Sequence, residues 1–236
     1  MDARKYVILT AGGVGKRMKS SLPKQFLEIS GIPILRLTIE AFRKAFIEKK
    51  DNNEESGVEI VLVMHPDYID KWKDYCKKES YFFKHYIVSG GLTRFHSVQN
   101  ALKFLQQNKV GQDWTNTLIA VHDGVRPFIT PAKLKELFSI AEGEEALIPI
   151  LKIVDSMRKV LPDGNTLPVN RDEYITIQTP QIFRGDVLME SYKLPYLTSY
   201  TDDASIVEKA GYKLTYTEGE RTNLKITVPE DLISIH

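Results

Sequence analysis

Tyr6-Val7-Ile8-Leu9-Thr10-Ala11-Gly12-Gly13-Val14-Gly15-Lys16-Arg17-Met18-Lys19-Ser20-Ser21-Leu22-Pro23-Lys24-Gln25 joins a short apolar run to a glycine-rich, cationic loop. The apolar run has the length of a buried strand. Glycines lack a Cβ, so the backbone N–H groups of the loop can approach an anion closely. Arg17 and Lys24 add fixed positive charge for phosphate oxygens. The two commonest phosphate patterns are excluded. A P-loop needs Ser or Thr after Gly-Lys, but Arg17 follows Gly15-Lys16. A dinucleotide fingerprint needs a third glycine where Met18 stands.

Outward from this loop, short apolar strands alternate with longer amphipathic segments, the pattern of a mostly parallel sheet flanked by helices. Strands are expected at Tyr6–Thr10, Glu59–Met64, His85–Ser89, Thr117–His122 and Ala146–Ile150. Helices are expected at Pro33–Lys49, Pro66–Lys78, Thr93–Gln107 and Pro131–Ala141, with Asp51–Ser56 as a polar surface loop. The alternation breaks after Ile150. Lys152–Val160, the turn Pro162-Asp163-Gly164-Asn165 and Thr166–Thr179 read as an extended hairpin. A hairpin of that length beside a sheet-and-helix core reads as an arm reaching outward, and such arms exchange between protomers, so a homodimer is expected. Asp186–Lys193, Asp202–Lys209, Lys213–Glu218 and Asn223–Thr227 return to the core. The whole chain, 1–236, is expected to be one α/β domain with an arm at about 152–179.

Composition narrows the function. With 32 basic and 31 acidic residues the net charge is +1, which disfavours a nucleic-acid partner and leaves the cations to be gathered around a small anion. A lone cysteine, Cys76, forms no intrachain disulfide and suits a reducing cytosol. No apolar run approaches the ~18 residues of a membrane span, and the chain enters its first strand too soon for a signal peptide. A cytoplasmic location is expected.

Four further clusters carry polar chemistry. Gly90-Gly91-Leu92-Thr93-Arg94-Phe95-His96-Ser97-Val98 turns from a strand into a helix, where backbone amides and Ser97 can read an anion or a base edge; alone, it reads better as an ordinary glycine turn with a Thr cap. Val121-His122-Asp123-Gly124-Val125-Arg126-Pro127 lies at the carboxyl end of a strand, where α/β sheets gather ligands. Asp123 there is placed to hold a Mg²⁺ carried by a nucleoside triphosphate, or to form a structural pair with Arg126. His122 reads as a satisfied core histidine. On the arm, Ser156, Arg171 and Thr179 are candidates to grip a second phosphate. Finally, Tyr200-Thr201-Asp202-Asp203-Ala204 reads as a helix cap, and Lys225 lies among alternating apolar residues of an expected strand, facing a polar pocket or guarding an edge. No Gly-x-Ser-x-Gly elbow or zinc spacing is present.

In this order the motifs form a nucleotidyltransferase signature. They are Ala11-Gly12-Gly13-x-Gly15-x-Arg17-Met18, Pro23-Lys24-Gln25, Gly90-Gly91-x-x-Arg94-x-x-Ser97-Val98, His122-Asp123-x-x-Arg126-Pro127, Thr179-Pro180-Gln181, Thr201-Asp202-Asp203-Ala204 and Asn223-x-Lys225-Ile226-Thr227. Together they resemble the 2-C-methyl-D-erythritol 4-phosphate cytidylyltransferases from about Val7 to Leu232. The resemblance implies a three-layer, Rossmann-like nucleotidyltransferase fold with a protruding β-arm. It also implies transfer of CMP from CTP to a polyol phosphate, with release of pyrophosphate and a need for Mg²⁺.

By motif position, Arg17 and Lys24 would stabilise charge on the α-phosphate, while Ala11, Gly12, Gly13, Gly15, Gly91, Arg94 and Ser97 would contact the nucleotide. Asp123 would hold the metal or a substrate hydroxyl, beside Arg126. Arg171 and Lys225 would orient the attacking phosphate, aided by Ser156, Thr179 and Thr201, with Arg171 and Ser156 serving the neighbouring protomer. Ribitol-5-phosphate cytidylyltransferases share the first loop and the arm motif, and are the alternative. Sugar-phosphate nucleotidyltransferases using UTP or GTP share the loop but are generally longer and without Thr-Pro-Gln. A non-catalytic nucleotide-binding protein would be expected to lack one of Arg17, Lys24, Asp123 and Lys225, all of which are present.

Overall fold

The apolar run that opens the chain is strand β1 (Arg4–Ala11), central in an eight-stranded sheet, in a computed structural model that describes residues 3–13, 23–50, 53–228 and 231. A small hairpin, β2 (Glu28–Ile29) and β3 (Ile32–Pro33), leads into α1 (Ile34–Ala45), β4 (Ile47–Lys50), β5 (Asn53–Ser56) and β6 (Glu59–Met64). Next come α2 (Pro66–Lys78), β7 (Tyr86–Ser89), α3 (Arg94–Asn108), β8 (Thr117–Asp123), α4 (Pro131–Ala141) and β9 (Ala146–Lys152). The described elements end with β10 (Arg158–Val160), β11 (Thr166–Pro168), β12 (Ile175–Ile177), β13 (Gln181–Arg184), α5 (Gly185–Ser191), α6 (Asp203–Lys209) and β14 (Thr215–Glu218).

The sheet runs β7-β6-β1-β8-β13-β9, with β7, β6, β1 and β8 mutually parallel. Alternation along the strands sorts their side chains into two cores. Val7, Leu9, Ile60, Leu62, Leu118 and Ala120 face one layer of helices, packed with Phe42 of α1, Trp72 of α2 and Phe138 of α4. Tyr6, Ile8, Val61, Val63, Ile119 and Val121 face the other, with Val98 of α3, Val187 of α5 and Val207 of α6. Burial on both faces is why these strands read as unbroken apolar runs rather than alternating ones.

From β1 the chain builds outward to β6 and β7, then returns to place β8 on the other side of β1. That reversal opens a crevice at the carboxyl ends, where α/β sheets bind ligands. The parallel registers bring the ends into line: Ala11 pairs with Met64, Met64 with Ser89, and Thr10 with Asp123.

Several expectations are corrected. α1 stops at Ala45, short of Lys49, because Phe46 leaves helical geometry and packs edge-on against Phe138 at 4.9 Å. Beyond it, Ile47–Lys50 pairs antiparallel with Asn53–Ser56, so most of the expected polar loop is a return strand. The expected strand at 223–227 is absent: Ile226 N–H bonds to the Val125 carbonyl at 3.0 Å, and no ladder forms. An unforeseen strand, β13, inserts antiparallel between β8 and β9. Ile150 pairs with both Ile177 and Glu218, and Leu147 with both Ile182 and Thr215. β12 and β13 therefore share one edge of β9 while β14 takes the other. The hairpin is present as β10 against β11, with a further short helix at Arg171–Glu173.

Candidate active site

Asp123 ends β8, and the pairing of β13 with that strand carries Thr179 to its side. The Asp123 N–H donates to Thr179 Oγ1 at 3.1 Å. Its carboxylate Oδ2 meets Lys225 Nζ at 3.0 Å and Arg126 Nε at 3.2 Å, and Arg126 Nη1 donates to the Asn223 carbonyl at 2.8 Å. Burial pushes the Asp123 acid up, but Lys225, Arg94 and Arg126 outweigh that and hold the carboxyl well below its usual range. The carboxylate is therefore charged at neutral pH. Lys225 lies outside any strand, and its Nζ reaches Asp123.

Beneath this cluster lies a polar scaffold that motif spacing did not disclose. Asn223 Nδ2 donates to the Thr179 carbonyl at 2.8 Å. Gln178 Nε2 donates to the Glu220 carbonyl, and Glu220 N–H returns a bond to Gln178 Oε1, both at 3.0 Å. These bonds tie the loop before Lys225 to the chain around Thr179, although Asn223 Oδ1 is buried without a partner among the described residues. Their partners are more than forty residues apart, so no local pattern marks them. His122 is fully buried beside them, and desolvation lowers its pKa to about 4.

The glycine loop meets the cluster from β1. Gly15 and Arg17 lie outside the described residues. Ala11 is buried, and its carbonyl accepts from Gln25 Nε2 at 2.8 Å, pinning the loop's start to the segment that carries Lys24. A Cβ on Gly13 would sit 3.9 Å from Lys24 Cε, and one on Gly12 3.9 Å from Ser97 Oγ. Gly91 cannot carry a side chain, because its Cβ would fall 2.5 Å from that of His96. Ser97 Oγ accepts the Gly91 N–H at 3.1 Å and donates to the Thr93 carbonyl at 3.0 Å, so it shapes the turn as it borders Gly12. Gly12, Gly13, Lys24, Gly91 and Ser97 thus line the crevice together.

Arg94 has a second commitment. Its Nη2 meets Oδ2 of Asp203 at 2.6 Å, and Asp203 is fully buried and also accepts from the Tyr192 hydroxyl. Asp202 caps α6, as expected, so the adjacent carboxylates do different work. Thr201, just before that cap, is exposed. Gln181 ties the cap to β13, with Nε2 donating to Asp202 at 2.8 Å and Oε1 accepting from Ala204 N–H at 2.9 Å. Ser156 and Arg171 are exposed on the arm, where Arg171 donates to the Val154 carbonyl. Within the chain, the structure gathers the crevice residues and leaves these two outside them.

Among the described residues no group of three or more His, Cys, Asp and Glu side chains forms a metal cage. A metal here would rest on one carboxylate, the arrangement that suits Mg²⁺ arriving on phosphates. Lys225 and Arg126 both bond Oδ2, which leaves Oδ1 outside these two contacts. A cavity of about 860 Å³ sits at the opposite, amino ends of β6 and β7, but its carboxylates pair locally. Glu40 meets Arg43 at 2.8 Å, and Glu59 meets Lys109 at 2.6 Å. Arg36 and Lys84 also line the cavity, but none of the motif residues does, and those gather in the crevice instead.

Comparison with known proteins agrees. The family model for IspD, 2-C-methyl-D-erythritol 4-phosphate cytidylyltransferase, matches residues 6–236. The chain belongs to this cytidylyltransferase family. A cytidylyltransferase of that name from Bacteroides thetaiotaomicron is 40% identical over 226 residues, covering 96% of this chain and 95% of the relative. One from Bacteroides fragilis is 40% identical over 225 residues, covering 95% and 94%. The crystal structure of 4-diphosphocytidyl-2C-methyl-D-erythritol synthase from Anaerococcus prevotii superposes with a TM-score of 0.74 at 28% identity, covering 97% of this chain and 92% of that one. Both the fold and the family expected from the motifs are thereby borne out.

Proposed function

We propose that this cytidylyltransferase transfers CMP from CTP to 2-C-methyl-D-erythritol 4-phosphate, a step of isoprenoid precursor synthesis, in the crevice between the glycine loop and Asp123. The observation that carries the reading is the convergence of Lys225, Arg126 and Asp123 beside a loop flanked by Lys24. A phosphate oxygen of the acceptor attacks the α-phosphorus of CTP in line. An oxygen–phosphorus bond forms, the bond to the β-phosphate bridging oxygen breaks, and pyrophosphate departs with the electron pair. The nucleophile is already an anion and needs no general base. The barrier lies in bringing two anions together, so cations and positioning supply the catalysis. Lys24 and Arg17 neutralise the α-phosphate, and Lys225 the attacking phosphate. Asp123 would hold a Mg²⁺, which would supply further neutralisation of the phosphates.

Pyrophosphate release tests this, with CTP and either methylerythritol phosphate or ribitol phosphate supplied side by side. Turnover is expected with the first, and turnover confined to ribitol phosphate would overturn the acceptor. Chelating the divalent ion is expected to abolish release and added Mg²⁺ to restore it.

The arm suggests a homodimer. Val160, Leu167, Tyr174 and Ile175 are exposed along it, more apolar surface than a solvated hairpin needs. Crossing to a partner would cover that surface and deliver Ser156 and Arg171 to the neighbouring crevice, with the rest of the chain acting as one domain. Arg171→Ala is then expected to raise KM for the polyol phosphate by roughly 10–100-fold, the scale of a charge-assisted hydrogen bond, with KM for CTP little changed. Mixing Arg171→Ala with Lys24→Ala subunits should restore turnover, because a mixed dimer holds one intact site. A mixture as inactive as its parts would refute the exchange. The near-neutral charge and the lack, among the described residues, of a helix able to cross a membrane fit a cytoplasmic enzyme without a nucleic-acid partner.

A further inference from the structure

The loop that carries Lys225 runs alongside the segment from Asp123 to Thr130 in the opposite sense. Lys225 Nζ meets Asp123 at 3.0 Å, the Ile226 N–H donates to the Val125 carbonyl at 3.0 Å, and the Asn223 carbonyl accepts from Arg126 Nη1 at 2.8 Å. At the far end Glu220 closes the row with both carboxylate oxygens. Oε2 accepts the Thr130 N–H and Oε1 the Thr130 hydroxyl, each at 2.8 Å. Thr130 caps α4, and its Oγ1 in turn accepts the Lys133 N–H at 3.1 Å. A carboxylate suits this place, because the first turn of a helix presents spare N–H groups and a partial positive charge. The peptide of Glu220 is held separately by Gln178, at its N–H and at its carbonyl, both at 3.0 Å. Glu220 therefore joins three parts of the fold: the Lys225 loop, the start of α4 and the chain before β13.

We propose that Glu220 is a positioning residue whose two-point bond to Thr130 sets the Lys225 loop against the end of β8, and so sets where Lys225 Nζ lies in the crevice. Gln178 holds the loop at a single residue, about which it can pivot. The bond to α4 adds a second anchor in a different direction and removes that freedom. Lys24, Gly12, Gly91 and Ser97 line the other side of the crevice and share none of these bonds. Loss of the clip therefore falls on the attacking phosphate and spares CTP. This assignment rests on the role given to Lys225 above.

Two measurements on the full chain test it. Glu220 is half-buried and Thr130 exposed, so substitutions there leave the core intact. Without substrate, hydrogen exchange at the Ile226 amide should be about tenfold faster in Glu220→Ala than in the parent, with the amides of β1 unchanged. Exchange as slow as in the parent would overturn the proposal whatever the acceptor. In steady-state assays, Glu220→Ala should raise KM for the polyol phosphate about tenfold with KM for CTP within about twofold. Glu220→Gln keeps one acceptor oxygen and should fall between, while Thr130→Ser keeps both donors and should match the parent. A brace that served folding alone would lower the melting temperature and leave both KM values in place. That result, or an equal rise in both, would overturn the proposal. Faster exchange in a chain that turns over neither polyol phosphate would instead overturn the acceptor, and with it the role of Lys225 through which Glu220 acts.

Discussion

Replacing Lys24 with alanine is expected to lower kcat by about 10²–10³-fold, the measured scale for removing one preorganised donor from a developing charge. Lys24 opens the short helical turn Lys24–Phe26, with its side chain beside Gly13. The neighbouring Gln25 and Phe26 are buried, and Gln25 is bonded to the Ala11 carbonyl, so the turn survives the substitution. The loss therefore falls on chemistry rather than on folding. The charge of Lys24 is also felt at Asp231, whose carboxyl is raised by burial but pulled lower overall by the Thr227 and Val228 N–H groups, with Lys24 adding to them. The Lys24 charge thus lies within electrostatic reach of Asp231 while its side chain borders Gly13. Steady-state rates at saturating CTP and acceptor check this, alongside an unfolding curve. Turnover near the parent value would remove Lys24 from the mechanism. Lys24→Arg should recover only part of the rate, because a planar fork does not occupy the place of a compact ammonium.

The parallel half of the fold was legible because its strands are buried on both faces. Tyr6–Leu9 and Glu59–Met64 announce themselves as apolar runs, and the helices between them start at clear signals such as Pro66 and Pro131. β13 was not legible. Gln181 and Arg184 bracket Ile182 and Phe183, too short a run to mark a strand without knowing that β8 and β9 leave a gap for it. The hairpin at 47–56 was hidden by its charge, which reads as helix end and loop.

At the site, the residues that the structure gathers in the crevice were visible from the chain, because glycine, lysine and aspartate at strand ends have few other uses together. What the chain concealed was the support: Gln178, Glu220 and Asn223 act through bonds to distant backbone, and Asp203 through a buried pair with an arginine on another helix. Such partners obey no period. Asp203 and Asn223 stand inside quoted motifs and Gln178 and Glu220 beside them, but nothing local marked what they bond.

Asp203→Ala should destabilise the protein by about 3 kcal/mol, because it strips a buried carboxylate from two partners at once. Arg94 loses the oxygen 2.6 Å from its Nη2, and the buried Tyr192 hydroxyl loses its acceptor. Arg94 keeps 31% of its side-chain surface in contact with solvent, so the lower end of the range for a broken buried pair applies. For a chain of this length that loss corresponds to a fall in Tm of roughly 6–12 °C. A melting point within a degree or two of the parent would mean that Arg94 finds water without penalty and that the pair is incidental. Removing both charges, as Arg94→Leu with Asp203→Leu, should recover much of the loss, since a buried pair replaced by apolar groups is often neutral. The double variant also separates two roles for Arg94. Its charge reaches Asp123 and helps hold that carboxylate ionised. If the double variant regains its stability but KM for CTP rises, Arg94 contacts the nucleotide as its motif implies. If KM for CTP is unchanged, its work is to brace α3 against α6 at the crevice wall.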